Sequence, residues 1–158
     1  MIDVLRCLVP DPKLRELRPE FCGIISGILL ELKNLGFEPR ISNALRTEEQ
    51  QREKVRLGYA MPGATGPGTH GWGLACDIID ARWGWRVSEA NAKFFAALCD
   101  LATAARLTCG GTWFGRGGTR HKPVHKSVWN KWGLGWDPAH VSWESAPVEL
   151  RKTYVPED

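Results

Sequence analysis

Apolar positions along the chain recur with two periods, and those periods divide it into elements. Phe21, Ile24, Ile25, Ile28 and Leu32 fall at helical spacing, which predicts an amphipathic helix from Pro19 to Leu35 with Gly36 as its stop. The stretch FEPRISNAL that follows reads as a strand leaving that helix. Thr47 stands three residues before Gln50, a capping box that predicts a second helix ending near Gly58. Residues 58–70 are rich in glycine and proline and read as a mobile loop of the kind that covers a neighbouring site. LACDIIDA has the continuous apolar character of a buried strand. Ser88 is placed to cap a long helix running to Arg106, with Phe94, Phe95, Leu98 and Leu101 on one face. LTCGGTWF reads as another strand, 115–136 as irregular, AHVSW as a short last strand, and Pro147 as the first-turn residue of a brief terminal helix. Helices and strands mix without strict βαβ alternation and without an internal repeat. The pattern predicts an α+β fold, a small antiparallel sheet packed with helices.

Length and composition narrow the class. The 158 residues suit one domain, and 43% hydrophobic with 25% charged residues is an ordinary globular balance. No run of eighteen apolar residues is present, so membrane insertion is not expected. The opening MIDVLRCLVPDPK lacks the basic and then apolar pattern of a signal peptide. Cys7, Cys22, Cys76, Cys99 and Cys109 are odd in number and form no CxxC pair, which favours free thiols over a disulfide framework. The net charge is only +3, but its distribution is uneven. From Leu101 to Trp136 there is no Asp or Glu, while Arg106, Arg116, Arg120, Lys122, Lys126 and Lys131 alternate with Trp113, Phe114, Trp129 and Trp132. Two explanations fit: a surface for an anionic polymer, or a solvated loop whose tryptophans fold into the core.

The chemistry rests on few residues. The chain has four histidines, at 70, 121, 125 and 140. His70 lies seven residues before Asp77 in THGWGLACD, and Asp137 lies three before His140 in DPAH. A catalytic zinc takes three ligands of these types, keeps one position open and needs a carboxylate nearby as general base. His70, Asp77 and His140 as ligands, with Asp137 as base, fill those roles. Spacing alone leaves alternatives open. His121, His125, Asn130 and His140 occur in an order reminiscent of ββα-metal nucleases. A closed structural zinc would need a fourth ligand, and Cys76 is adjacent to Asp77, although strand alternation turns it to the other face.

The motifs together resemble one family. His70-x-x-Gly73-x-Ala75-x-Asp77 is similar to the HxxGxAxD motif of the zinc D,D-carboxypeptidase and L-alanyl-D-glutamate endopeptidase family, the VanY-like peptidases and their phage endolysin relatives. Asp137-Pro138-Ala139-His140 resembles its E/D-P-x-H, and NALRTEEQ resembles its Y-R-S/T-x-x-x-Q segment. The matches keep the family's order and stretch from residue 43 to residue 143. The resemblance implies a hedgehog/D,D-peptidase-like fold and one Zn2+ ion held by His70, Asp77 and His140. It makes Asp137 the catalytic base and acid, and Arg46 the residue that holds the substrate carbonyl or oxyanion. Gly68 stands where members often carry a substrate-binding serine, so Thr69 is the nearby hydroxyl expected to meet substrate. Gln50 and Trp113 are expected as further contacts. Val141-Ser142-Trp143 replaces the aromatic or acidic pair that often follows the last histidine.

The implied partner is bacterial peptidoglycan, cut at a stem-peptide bond. L-Ala-D-Glu is the first expectation and D,D-carboxypeptidase action the second. A monomer with no nucleic-acid role and no separate wall-binding domain is expected, of endolysin type, held in the host bacterial cytoplasm until lysis.

Overall fold

The computed structural model describes residues 11–58, 68–113 and 128–157. The expected covering loop lies mostly outside these residues, and Cys7, Phe114, Arg116, Arg120, His121, Lys122, His125 and Lys126 lie wholly outside them.

The first helix, α1 (Pro19–Asn34), begins with proline at its first turn and buries Phe21, Cys22, Ile25, Ile28, Leu29 and Leu32. Its end follows the expected stop: Gly36 N–H donates to Lys33 O and Phe37 N–H to Leu32 O. Strand β1 (Pro39–Asn43) follows, then α2 (Glu48–Arg56), opened by the Thr47–Gln50 capping box in both directions. A single helical turn, α3 (Gly68–Gly71), leads into β2 (Ala75–Asp80), every residue of which is buried. Ser88 caps α4 (Glu89–Ala104) through the Asn91 amide. Strands β3 (Thr108–Cys109) and β4 (His140–Ser142) complete the sheet.

Three expectations need correction in detail. The strand expected over LTCGGTWF is confined to Thr108–Cys109, because Gly110–Thr112 curls into a 3-10 turn. That turn packs under the Asp137 loop, and Gly135 N–H donates to Gly111 O at 2.6 Å. Helix α4 ends at Ala104 rather than Arg106, since Arg106 takes a left-handed conformation (φ 62°) and Leu107 N–H closes back on Ala102 O. Pro147 stands just before the short 3-10 turn Val148–Leu150, not inside it.

The four strands form one antiparallel sheet in the order β1-β2-β4-β3. The mixed helices and small antiparallel sheet are the α+β arrangement expected from the sequence. Register matters most between β2 and β4, where Asp77 lies opposite His140 and Cys76 opposite Val141. Side chains alternate faces along a strand, so Asp77 and His140 share one face while Cys76 and Val141 enter the core. The core joins α1, α4 and the sheet around Phe21, Phe94, Phe95, Ile25, Leu29, Ile78 and Leu98, all wholly buried. Each such side chain contributes about 1.5–3 kcal/mol relative to an exposed one. Trp129 also belongs to this core, edge-on to Phe95 at 5.1 Å between ring centroids. At that position the tryptophan of the basic segment is a packing residue.

Both ends of the described chain brace the sheet. Asp11 caps the 3-10 turn Pro12–Glu16 through Lys13 N–H and accepts a second bond from Ile41 N–H of β1. Glu16 accepts from Leu45 N–H. On the other side, Arg18 donates to Trp72 O and Lys152 O, its guanidinium lies 4.9 Å from the Tyr154 ring centroid, and Tyr154 N–H donates to Gly71 O. Gly73 sits inside this clamp at φ 68°, where an added Cβ would come within 2.6 Å of Tyr154 Cδ1. At Gly110 a Cβ would overlap the Asp137 carbonyl oxygen.

Alanine at Gly73 or Gly110 should therefore destabilise the protein by about 1–3 kcal/mol through overpacking or backbone strain. Alanine at Gly27 in α1, where nothing lies within 4 Å of an added Cβ, should be neutral or stabilising by about 0.5–1 kcal/mol. Urea midpoints of the three variants check the contrast.

Candidate metal centre

Asp77 and His140 are brought together by strand pairing, and His70 joins them from the α3 turn just ahead of β2. His70 Nε2 lies 3.7 Å from Asp77 Oδ1, and His140 Nδ1 lies 3.4 Å from the same oxygen. All three donor atoms fall within 4.8 Å of one another, and all three residues are buried. Bonds of about 2.0–2.1 Å arranged tetrahedrally would place donors roughly 3.3 Å apart. The group could therefore hold a metal ion after a small inward adjustment of the histidines.

The donor chemistry also fits. His70 Nδ1 lies 2.8 Å from Ala44 O. A carbonyl only accepts, so Nδ1 carries the proton and Nε2 presents its lone pair toward Asp77. Burial, opposed chiefly by Asp77, lowers the His70 pKa to about 4, which keeps the ring neutral as a ligand must be. Burial also disfavours charge on Asp77 and His140. Burial is the largest single influence on each, but their mutual hydrogen bond together with the charges of His70 and Arg46 at Asp77, and of Asp137, Asp77 and Glu144 at His140, outweighs it. The Asp77 pKa is pulled down to about 2 and that of His140 is raised. The two side chains thus favour each other's charged forms.

Beside the two candidate histidines lies a cleft of about 180 Å³ lined by Arg46, Gln51, Gly68, Thr69, His70, Trp113, His140 and Glu144. The expected contacts Arg46, Thr69 and Trp113 thus meet the same space. Arg46 follows β1, and its Nη1 donates to Gln51 Oε1 at 2.8 Å. Burial lowers its pKa while Asp77 and Asp137 act to raise it, so the guanidinium faces two carboxylates. The Trp113 ring stacks on the His140 imidazole at 4.9 Å, tilted by 38°, and touches Trp136 at 5.6 Å.

Gln50 does not reach the cleft. Its side chain bonds Thr47 N–H in the capping box and sits on the exposed side of α2. The next residue, Gln51, lies about 100° further round the helix, is buried and holds Arg46. The signal was present in the sequence: a Gln committed to a capping box is not free to face a site. The three-residue gap of the resembled segment also ends at Gln51. Glu144 was missed as well, since no motif singles it out.

Asp137 opens the turn that ends at His140, where His140 N–H donates to Asp137 O at 3.2 Å. Part of its surface stays open, yet enough protein surrounds the carboxyl to push its pKa up to about 6; Asp77 adds to the shift, while His140 and Arg46 act against it. Cys76 faces the core, its thiol pKa raised by burial, and supplies no fourth ligand. A closed four-ligand site is not formed among the described residues. Of the histidines in the nuclease alternative, His121 and His125 lie outside the described residues, and His140 stands beside His70 and Asp77. Trp72 and Trp83 pack against the core, and Trp85 is exposed.

The site thus belongs to an α+β protein with a candidate metal centre on one face of a small antiparallel sheet. Among solved structures it is similar to the LdcB LD-carboxypeptidase, whose structure reveals the molecular basis of peptidoglycan recognition. The TM-score is 0.54 at 17% identity, over 80% of this chain and 58% of that one. This chain therefore spans less than two thirds of that protein's length. At that identity the likeness is one of fold alone. No protein-family model and no curated protein matches the chain.

The His140 pKa is raised, so a proton competes with a metal ion for that ring. Binding of Zn2+ should release protons below that raised pKa, and affinity should fall as the medium is acidified. Titration calorimetry in two buffers of different ionisation enthalpy measures the released protons; His140→Ala should abolish both binding and release.

Proposed function

We propose that the protein is a zinc-dependent peptidase acting on the peptide stem of bacterial peptidoglycan. The observation that carries this reading is the buried His70-Asp77-His140 group, open to a cleft, on a fold shared with a peptidoglycan carboxypeptidase. Two histidines and one carboxylate leave one position of a tetrahedral ion free, the mark of a catalytic site. A divalent ion held there supplies Lewis acidity, polarising the amide carbonyl and lowering the pKa of a water to about 7.

The chain's own residues supply the rest. Asp137, with a pKa near 6, suits both directions of proton transfer at neutral pH. It accepts the proton of the attacking water as the new C–O bond forms, then delivers it to the amine as the C–N bond breaks. Arg46 donates to the substrate carbonyl oxygen, where negative charge develops. Gln51 fixes the guanidinium by accepting from Nη1, and Trp113 holds the His140 ring by stacking. Thr69 offers a hydroxyl at the cleft wall beside the His70 turn.

The favoured bond is L-Ala-D-Glu, with action on the cell wall in the manner of an endolysin. A second reading, removal of a C-terminal residue, is favoured by the carboxypeptidase activity named for LdcB and by a half-buried arginine suited to a terminal carboxylate. No helix among the described residues is long and apolar enough to cross a membrane.

Mass spectrometry of muropeptides after digestion of purified walls distinguishes the bonds. A free N-terminal D-Glu supports the endopeptidase, release of the terminal residue supports the carboxypeptidase, and unchanged muropeptides refute both. Chelation should abolish cleavage and added Zn2+ restore it. Asp137→Asn should keep Zn2+ bound while turnover falls by about 10²–10⁴; near-normal turnover would remove Asp137 from the mechanism.

A further inference from the structure

One charged wall of the cleft has no role in the chemistry above. Glu144 lines the cleft beside His140 and Arg46. It stands two residues beyond β4 and is exposed, but its carboxylate is tethered. Ser142 donates its hydroxyl to Oε1 at 2.8 Å, and Ser142 is itself wholly buried. Ser142 and His140 are two apart on β4, so they share the sheet face that carries Asp77. The Ser142 bond therefore ties Glu144 to the ligand side of the sheet. Its charge is felt at His140. Among the described residues no Lys, Arg or other group pairs with its second oxygen. Among the described residues that line the cleft Arg46 is the only Lys or Arg, and it is taken up by Gln51 and the fields of Asp77 and Asp137.

An anchored, half-used carboxylate at the mouth of such a cleft suits a cation brought in by substrate. The candidate ion and Arg46 would both repel an incoming ammonium, and Glu144 offsets that repulsion on the His140 side. We propose that Glu144 is a specificity residue that binds an ammonium group of the substrate peptide, so that peptides bearing a free amine near the scissile bond are preferred. The inference rests on the peptidase reading and names its substrate class. In a peptidoglycan stem the ammonium has two sources, the side-chain amine of a diamino acid and a free N-terminal amine.

Three peptides separate these sources: L-alanyl-γ-D-glutamyl-L-lysine, its Nε-acetyl form and its Nα-acetyl form. With the Zn2+-loaded protein, acetylation of one of the two amines should raise KM roughly fivefold, the scale of an exposed ion pair, with little change in kcat. The amine whose acetylation has this effect is the one bound. In Glu144→Gln the ratio of kcat/KM between free and acetylated peptides should fall to near one. Discrimination that persists undiminished in Glu144→Gln overturns the proposal. So does a fall in kcat accompanied by weaker Zn2+ binding, which would make Glu144 a support for His140. If the wild-type protein cleaves none of the peptides, the L-Ala-D-Glu reading fails, and calorimetry with the same three peptides decides the role of Glu144. Amine-dependent binding lost in Glu144→Gln supports it, and binding indifferent to acetylation overturns it.

Discussion

The site depends on one buried carboxylate. Asp77 lies between two imidazoles on a fully buried strand, where an unpaired charge would cost several kcal/mol. His140 opposes that cost with a hydrogen bond, and the charges of His70, His140 and Arg46 act in the same direction. A proton on His140 or a cation between the three donors would each offset that charge. The register of β2 against β4 is thus an electrostatic requirement as well as a hydrogen-bonding one. A slip of one residue would set Cys76 or Val141 on the ligand face and put the charges into the core.

The rest of the fold holds the third ligand and the cation against that pair. His70 rides on a single turn, too short to be stable alone. It is held at one end by the Ala44 carbonyl and at the other by Arg18 and Tyr154, which reach Gly71 through Gly73 from distant parts of the sequence. The segment carrying Ala44 and Arg46 is fixed in turn by Asp11 and Glu16. Asp137 is set by close packing, since its carbonyl lies where a side chain at Gly110 would be. Tight contacts of this kind have little room to relax, so small changes far from the ligands are felt at the site.

Much of this was legible in the sequence because it is local. The apolar spacing of α1 and α4, the caps at Thr47 and Ser88 and the stop at Gly36 all act within four or five residues, and the structure follows them closely. The candidate ligands stand in two short motifs, each on one local element, a turn into a strand or a turn into β4. The short 3-10 turn after β3, the end of α4 at Ala104 and the commitment of Gln50 to a cap were decided by competition between local signals and packing.

What the chain by itself determined is therefore the set of helices and strands and the identity of three candidate ligands, since propensity, capping and periodicity act between near neighbours. Only the tertiary structure decided which glutamine holds Arg46, that Trp113 stacks on His140, that Trp129 packs in the core, and that Glu144 shares the cleft. Those outcomes join residues up to about a hundred positions apart, and nothing in local sequence encodes the distance between them. They follow from how the sheet registers and the helices close over it, where burial and charge are settled for the whole chain at once.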